Sequence, residues 1–187
     1  MTVQVREKTV GEIKEKLRGM LTPLNKISYL ESALGYKVFT YEIKRFLWGT
    51  LAELYEEQKL WDKAAKAYEN GAGIDITFKD KIESYLKAAE LYAKVGRIDE
   101  AEQMFVRAMR EASDVQRANV KLARKNIYML AAQDLDKKGK RGSAMRFYEH
   151  LIKMNLDELE KRQVKGKLLE IYKSLGKFND AKLIEGM

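Results

Sequence analysis

One imidazole, no thiol and a surplus of amines bound the chemistry open to this sequence. His150, in FYEHLIKM, is the only histidine, and there is no cysteine. Thiolate nucleophiles, disulfides and Cys-ligated zinc or iron–sulfur sites are therefore excluded. A single histidine near the expected end of a helix is usually a half-exposed polar residue or a partner of the helix dipole, and that reading outweighs a catalytic one. The carboxylates are scattered over helix surfaces among Lys and Arg, at no spacing that would gather metal ligands. Glycines in NGAGID and KKGKRG follow no predicted strand and match no nucleotide-binding spacing, so they read as turns between helices. The chain is read as a non-enzyme with no cofactor.

Recognition is the chemistry that remains. The window 115–153 holds ten basic residues against three acidic ones, which accounts for nearly all of the net charge of +8. Arg117, Lys121, Arg124 and Lys125 fall at helical spacings along one side, and Lys137, Lys138, Lys140 and Arg141 extend that strip through a turn. Such a strip suits phosphates, and a solvated face that touches nothing is the competing reading. No aromatic or base-reading motif is interleaved, so nucleic-acid binding there would be nonspecific and strongly salt-dependent.

The elements that must position these groups are helices. The 187 residues contain one Pro and are rich in Ala, Leu, Glu and Lys, with no Pro/Gly/Ser-rich stretch to divide them. One all-α unit is expected. Charges interrupt the N-terminal sequence every few residues, so no signal peptide or membrane span is expected, and the absence of cysteine suits the cytoplasm.

A repeat organises the helices. Leu47, Trp48, Leu51, Ala52 and Tyr55 are followed, after a polar break, by Ala64 and Tyr68. The order returns as Tyr85, Ala88, Ala89, Tyr92, Gly96, Ala101, Phe105 and Ala108, then as Tyr128, Ala131, Ala132, Leu135, Gly139, Ala144 and Tyr148. A fourth copy has Leu168, Leu169, Tyr172, Gly176 and Ala181. From Ala64 to Ala101 is 37 residues, to Ala144 a further 43, and to Ala181 a further 37. Small residues let two antiparallel helices approach, and Tyr or Phe fills the wider gaps between hairpins. Gly96, Gly139 and Gly176 supply a left-handed turn, and Lys59 stands in that place in the first copy. Tyr29 and Tyr41, with the repeat tyrosines, read as core rather than as stacking platforms.

This pattern over residues 45–187 resembles the tetratricopeptide repeat, although the family's usual Pro after the second helix is missing. The resemblance implies a right-handed α-solenoid of four to five antiparallel hairpins, acting as a protein-binding scaffold that holds a peptide or protein along the concave groove of its first helices. Register then places Glu53, Glu90, Gln133 and Glu170 at one equivalent position, with Glu56 and Asn126 beside them. The Lys and Asn clamp of the family's chaperone-binding members is not present at Gly49, Glu53, Lys87, Asn126 and Leu130. An acidic ladder of this kind favours a basic or amphipathic peptide.

Residues 1–40 are expected to form an N-terminal cap, with helices near 10–20 and 24–34 and Thr22-Pro23 starting the second. At the other end Leu183, Ile184 and Met187 of a short last helix would leave an apolar face through which copies of the chain could associate.

Overall fold

The computed structural model describes residues 5–35 and 39–186, and helix dominates throughout. The helices are α1 (Val10–Arg18), α2 (Pro23–Leu34), α3 (Tyr41–Glu57), α4 (Trp61–Ala72), α5 (Phe78–Lys94), α6 (Ile98–Glu111), α7 (Asp114–Lys137), α8 (Arg141–Leu151), α9 (Glu158–Ser174) and α10 (Phe178–Glu185). The pairs α3/α4, α5/α6, α7/α8 and α9/α10 pack as hairpins, and α5 also packs on α4 and α7 to form a helical solenoid.

The first and second helices of a hairpin begin in different ways. Thr40, Thr77 and Asp157 cap α3, α5 and α9, each with a side-chain oxygen accepting from a backbone N–H three residues on. Thr22 caps α2 in the same way, with Pro23 in the first turn. No side-chain cap starts α4, α6, α8 or α10. Those helices grow directly out of the turn before them.

That turn has one form in all four hairpins. Lys59, Gly96, Gly139 and Gly176 have φ of 58°, 89°, 72° and 71°. The next residue donates its N–H to the carbonyl five back: Leu60 to Tyr55 at 2.8 Å, and Arg97 to Tyr92, Lys140 to Leu135 and Lys177 to Tyr172 at 2.9 Å. The left-handed residue bonds three back in each case. This double bond satisfies carbonyls that a helix end leaves open. Lys59 adopts the backbone of its glycine counterparts at the steric cost of a Cβ in the left-handed region.

Ala52, Ala64, Ala88, Ala89, Ala101, Ala132 and Ala144 are fully buried at helix crossings. Tyr29, Tyr55, Tyr85, Tyr92, Tyr128, Tyr148 and Tyr172 are buried, whereas Tyr41 is 73% exposed and lies outside the core. No charged or polar side chain is fully buried among the described residues.

The tyrosines also do something their packing did not foretell. Each seam between successive hairpins carries a phenol hydroxyl donating to a carboxylate of the preceding hairpin: Tyr55 to Glu31, Tyr92 to Glu69 at 3.0 Å, Tyr128 to Glu102 at 2.7 Å and Tyr172 to Glu149 at 2.9 Å. Tyr29 similarly donates to Glu7 at 2.9 Å. Burial first, then the adjacent carboxylate, pushes each of these phenols well above its ordinary pKa and keeps it a donor.

Three seams use the tyrosine four residues before the left-handed turn. In the third hairpin that place is taken by Leu135, and Tyr128, two turns earlier, supplies the hydroxyl. The same hairpin holds the length anomaly: α7 has 24 residues where α3, α5 and α9 have 17. The 43-residue spacing arises there, and α8, with 11 residues, is too short to accompany α7 along its whole length.

Candidate functional site

The residues assigned to the first-helix face come to three separate places. Glu53 lies in a shallow groove with Val10, Arg45, Phe46 and Thr50 between α1 and α3. Glu90 and Asn126 lie across from each other in a groove between α5 and α7. Gln133 and Glu170 line a third opening between α7 and α9, with Met129 and Arg162. Glu56 belongs to none of these, because the Tyr68 hydroxyl donates to it at 2.8 Å and Lys87 pairs with it at 3.2 Å.

Local charge on this face is nearly balanced. Lys87 bridges Glu56 and, at 3.5 Å, Glu90. Burial works against its ammonium, but Glu90 and Glu56 outweigh that and raise its pKa. Lys167 donates to Glu170 at 3.0 Å and also pairs with Asp136. The bond from Lys167 holds the Glu170 carboxyl below its usual range. Of the acidic positions read from the sequence, Glu90 and Glu170 are each paired with a lysine one turn away, while Glu53 is exposed and forms no ion pair with the described residues.

What lies open between α5 and α7 is apolar. The α5/α7 groove, of about 460 Å³, is floored by Ala123, Ile127, Leu130 and Ala131 and rimmed by Glu90, Lys94, Asn126 and Asp134. Leu130 is 67% exposed there. Lys94 stacks its ammonium on the Trp61 ring at 3.6 Å, so that charge is partly engaged. Ile127 and Asp134 were missed in the sequence. The spacing of Ala123, Ile127, Leu130 and Asp134 is that of one helix stripe, but an apolar stripe in a packed repeat reads as core until the neighbouring helix is placed.

The basic residues of α7 do not form one strip. Arg117, Lys121 and Arg124 share a groove with α6. Lys125, one residue and about 100° further around the helix, points to α9, where its ammonium holds Glu160 at 2.6 Å. Lys137 is the last residue of the same helix, about 18 Å from Lys125 at 1.5 Å per residue, and Lys138, Lys140 and Arg141 follow in the turn and at the start of α8. Lys138 is paired with Asp134 at 2.6 Å, and Arg117 with Asp114 at 2.9 Å.

His150 is half-buried with its ring edge-to-face against Tyr128 at 6.0 Å. Among the described residues no three His, Cys, Asp or Glu side chains are placed to hold a metal, and no helix is long and apolar enough to cross a membrane. Ile184, expected on an exposed end face, is 8% exposed because it turns inward against α9, whereas Leu183 is 71% exposed. Met187 lies outside the described residues.

Residues 82–114, which comprise most of α5, the Gly96 turn and α6, match the family model of the tetratricopeptide repeat. No curated protein matches the sequence. A solved structure, that of BtubC (BKLC) from P. vanneervenii, is 18% identical over 93% of this chain and 70% of that one, with a TM-score of 0.39.

Proposed function

We propose that this tetratricopeptide-like helical repeat protein is a scaffold that binds a peptide or protein segment on its first-helix face, seated on the α5/α7 groove. The observation that carries this reading is Leu130, two-thirds exposed on an apolar floor with charged groups of both signs around it. A groove of this composition takes the apolar side of an amphipathic segment, with Glu90, Lys94 and Asp134 setting its direction. Because lysines already neutralise Glu56, Glu90 and Glu170, apolar burial supplies the affinity and charge contributes orientation. The lack of cysteine fits a reducing compartment, and we place the scaffold in the cytoplasm.

The test begins with capture from a lysate of the source organism, with and without nuclease, and identification of the retained proteins. Affinity of the purified partner is then measured for the parent chain, for Leu130→Glu and for the pair Glu53→Lys, Glu90→Lys. Loss of binding in Leu130→Glu with helicity unchanged supports the reading. Unchanged affinity overturns it, as does recovery of nucleic acid with all proteins lost on digestion.

A further inference from the structure

The groove between α6 and the N-terminal half of α7 lies away from the proposed α5/α7 seat and has a different character. It measures about 560 Å³ and is open because α8 stops short of this part of α7. Its floor is apolar, made by Val106, Met109 and Val120, and Val106 is 44% exposed. Ten residues after the left-handed turn, α4 and α8 carry Glu69 and Glu149, each accepting from a tyrosine, while α6 has Val106 at that place. The substitution removes an anion and leaves hydrocarbon at the surface.

Four cations surround that floor: Arg110, Arg117, Lys121 and Arg124. One carboxylate, Glu102, faces them, and it is already shared by the Tyr128 hydroxyl and Arg124 at 2.8 Å. The Nε of Arg124 is buried with no acceptor. Neither Arg110 nor Lys121 forms an ion pair with the described residues, and Arg117 reaches only Asp114, whose side chain is 95% exposed. The groove therefore combines exposed hydrocarbon with two cations, Arg110 and Lys121, that no carboxylate of the described residues pairs with.

We infer that the α6/α7 groove is a second docking site, for an acidic amphipathic helical segment of a partner protein that lays apolar side chains on Val106 and Met109 and carboxylates against Arg110, Lys121 and Arg117. Charge complementarity selects this occupant. Phosphate backbones would use the cations but gain nothing from the floor, whereas a segment with Leu or Phe at i, i+3 and i+7 and Glu between them uses both.

The test uses a fluorescein-labelled synthetic helical peptide of that composition, titrated with the full chain and read by fluorescence anisotropy. Three probes run beside it: the same composition scrambled to break the helical period, an oligoglutamate of equal charge, and a single-stranded oligonucleotide. The variants are Val106→Asp, the pair Arg110→Glu, Lys121→Glu, and the α5/α7 variant Leu130→Glu, each checked by circular dichroism. The proposal expects the periodic peptide to bind at least tenfold more tightly than the scrambled one. It expects Val106→Asp and the charge-reversed pair each to weaken it at least tenfold, and Leu130→Glu to leave it unchanged. Equal binding of periodic and scrambled peptides, insensitivity to Val106→Asp, or binding of the oligonucleotide alone overturns it. Loss through Leu130→Glu instead would assign the peptide to the α5/α7 groove and equally overturn it.

Discussion

Tyr128→Phe isolates one seam bond from the packing around it. The Tyr128 ring is fully buried and meets Phe105 and Phe147 edge-to-face at 5.5 Å and 5.1 Å, contacts that phenylalanine keeps. Only the hydroxyl and its 2.7 Å bond to Glu102 are lost. Hydrogen bonds to a charged partner contribute about 1.5–3 kcal/mol. The Glu102 side chain is 31% exposed and keeps Arg124, so it is not left desolvated and alone. The low end applies, about 1–2 kcal/mol, which for a chain of this size is a fall in Tm of roughly 3–6 °C. Urea unfolding followed by circular dichroism measures it, with an unchanged slope showing that the same surface is exposed. Tyr128→Ala, which also empties the ring's volume, should cost about 3–5 kcal/mol. A loss below about 0.5 kcal/mol in Tyr128→Phe would mean that the seam is held by the rings alone and that the phenol–carboxylate bond adds nothing.

Other outcomes follow from the turns and the charges. Gly139→Ala introduces a Cβ that meets nothing within 4 Å, so its cost is conformational, about 1 kcal/mol by chemical denaturation. Lys59→Gly relieves the matching penalty, and a midpoint that rises or stays level is expected, whereas a fall of more than about 1 kcal/mol would contradict the left-handed assignment. Burial opposes the Glu69 charge, but bonds from Lys66 and Tyr92 and the nearby Arg107 guanidinium outweigh it and hold its pKa below the ordinary 4.5. Because the folded-state pKa is the lower one, Glu69 stabilises fully above about pH 4.5 and loses that contribution as pH falls through its folded value. Glu69→Gln should therefore flatten the acid limb of a stability–pH profile, and an unchanged limb would show the carboxylate to be a spectator. Leu130→Glu should leave Tm within about 1 °C, since an exposed side chain carries little stability, while removing partner binding.

The repeat was readable because its physics is local. Small residues at crossings, aromatics between hairpins and, in three of the four hairpins, a glycine four residues past the last core position of the first helix recur along the chain, and the structure places the same turn at each of these and at Lys59. The 43-residue spacing announced a longer element, and α7 is that element. The surface was harder to read because it depends on which side chains meet across hairpins 22 to 47 residues apart. Glu90 and Glu170 are the exception, since Lys87 and Lys167 stand three residues before them on the same helices, a spacing the sequence already shows. Arg124 and Lys125 look like partners in one strip, yet they turn to α6 and α9. Ile184 looks like the neighbour of Leu183 on an open face, but α9 covers it. The acceptors of the seam tyrosines had only a weak signal in the sequence, since Glu69 and Glu149 share one repeat position but Val106 stands there in α6 and the third seam uses Glu102 instead.

The seam bonds also bear on how an array of this kind is assembled. Each of the hairpins α5/α6 and α7/α8 carries a phenol donor that reaches back and a carboxylate acceptor that waits for the next hairpin: Tyr92 with Glu102, and Tyr128 with Glu149. A tandem copy of α3/α4 would bring a matching junction with it, since Tyr55, four residues before the left-handed turn, suits Glu69, ten after it, whereas α5/α6 and α7/α8 each carry halves of two different registers. Such a chain can lengthen by duplication of that hairpin without inventing an interface, and the same polarity rejects a hairpin inserted backwards, which would set hydroxyl against hydroxyl and carboxylate against carboxylate.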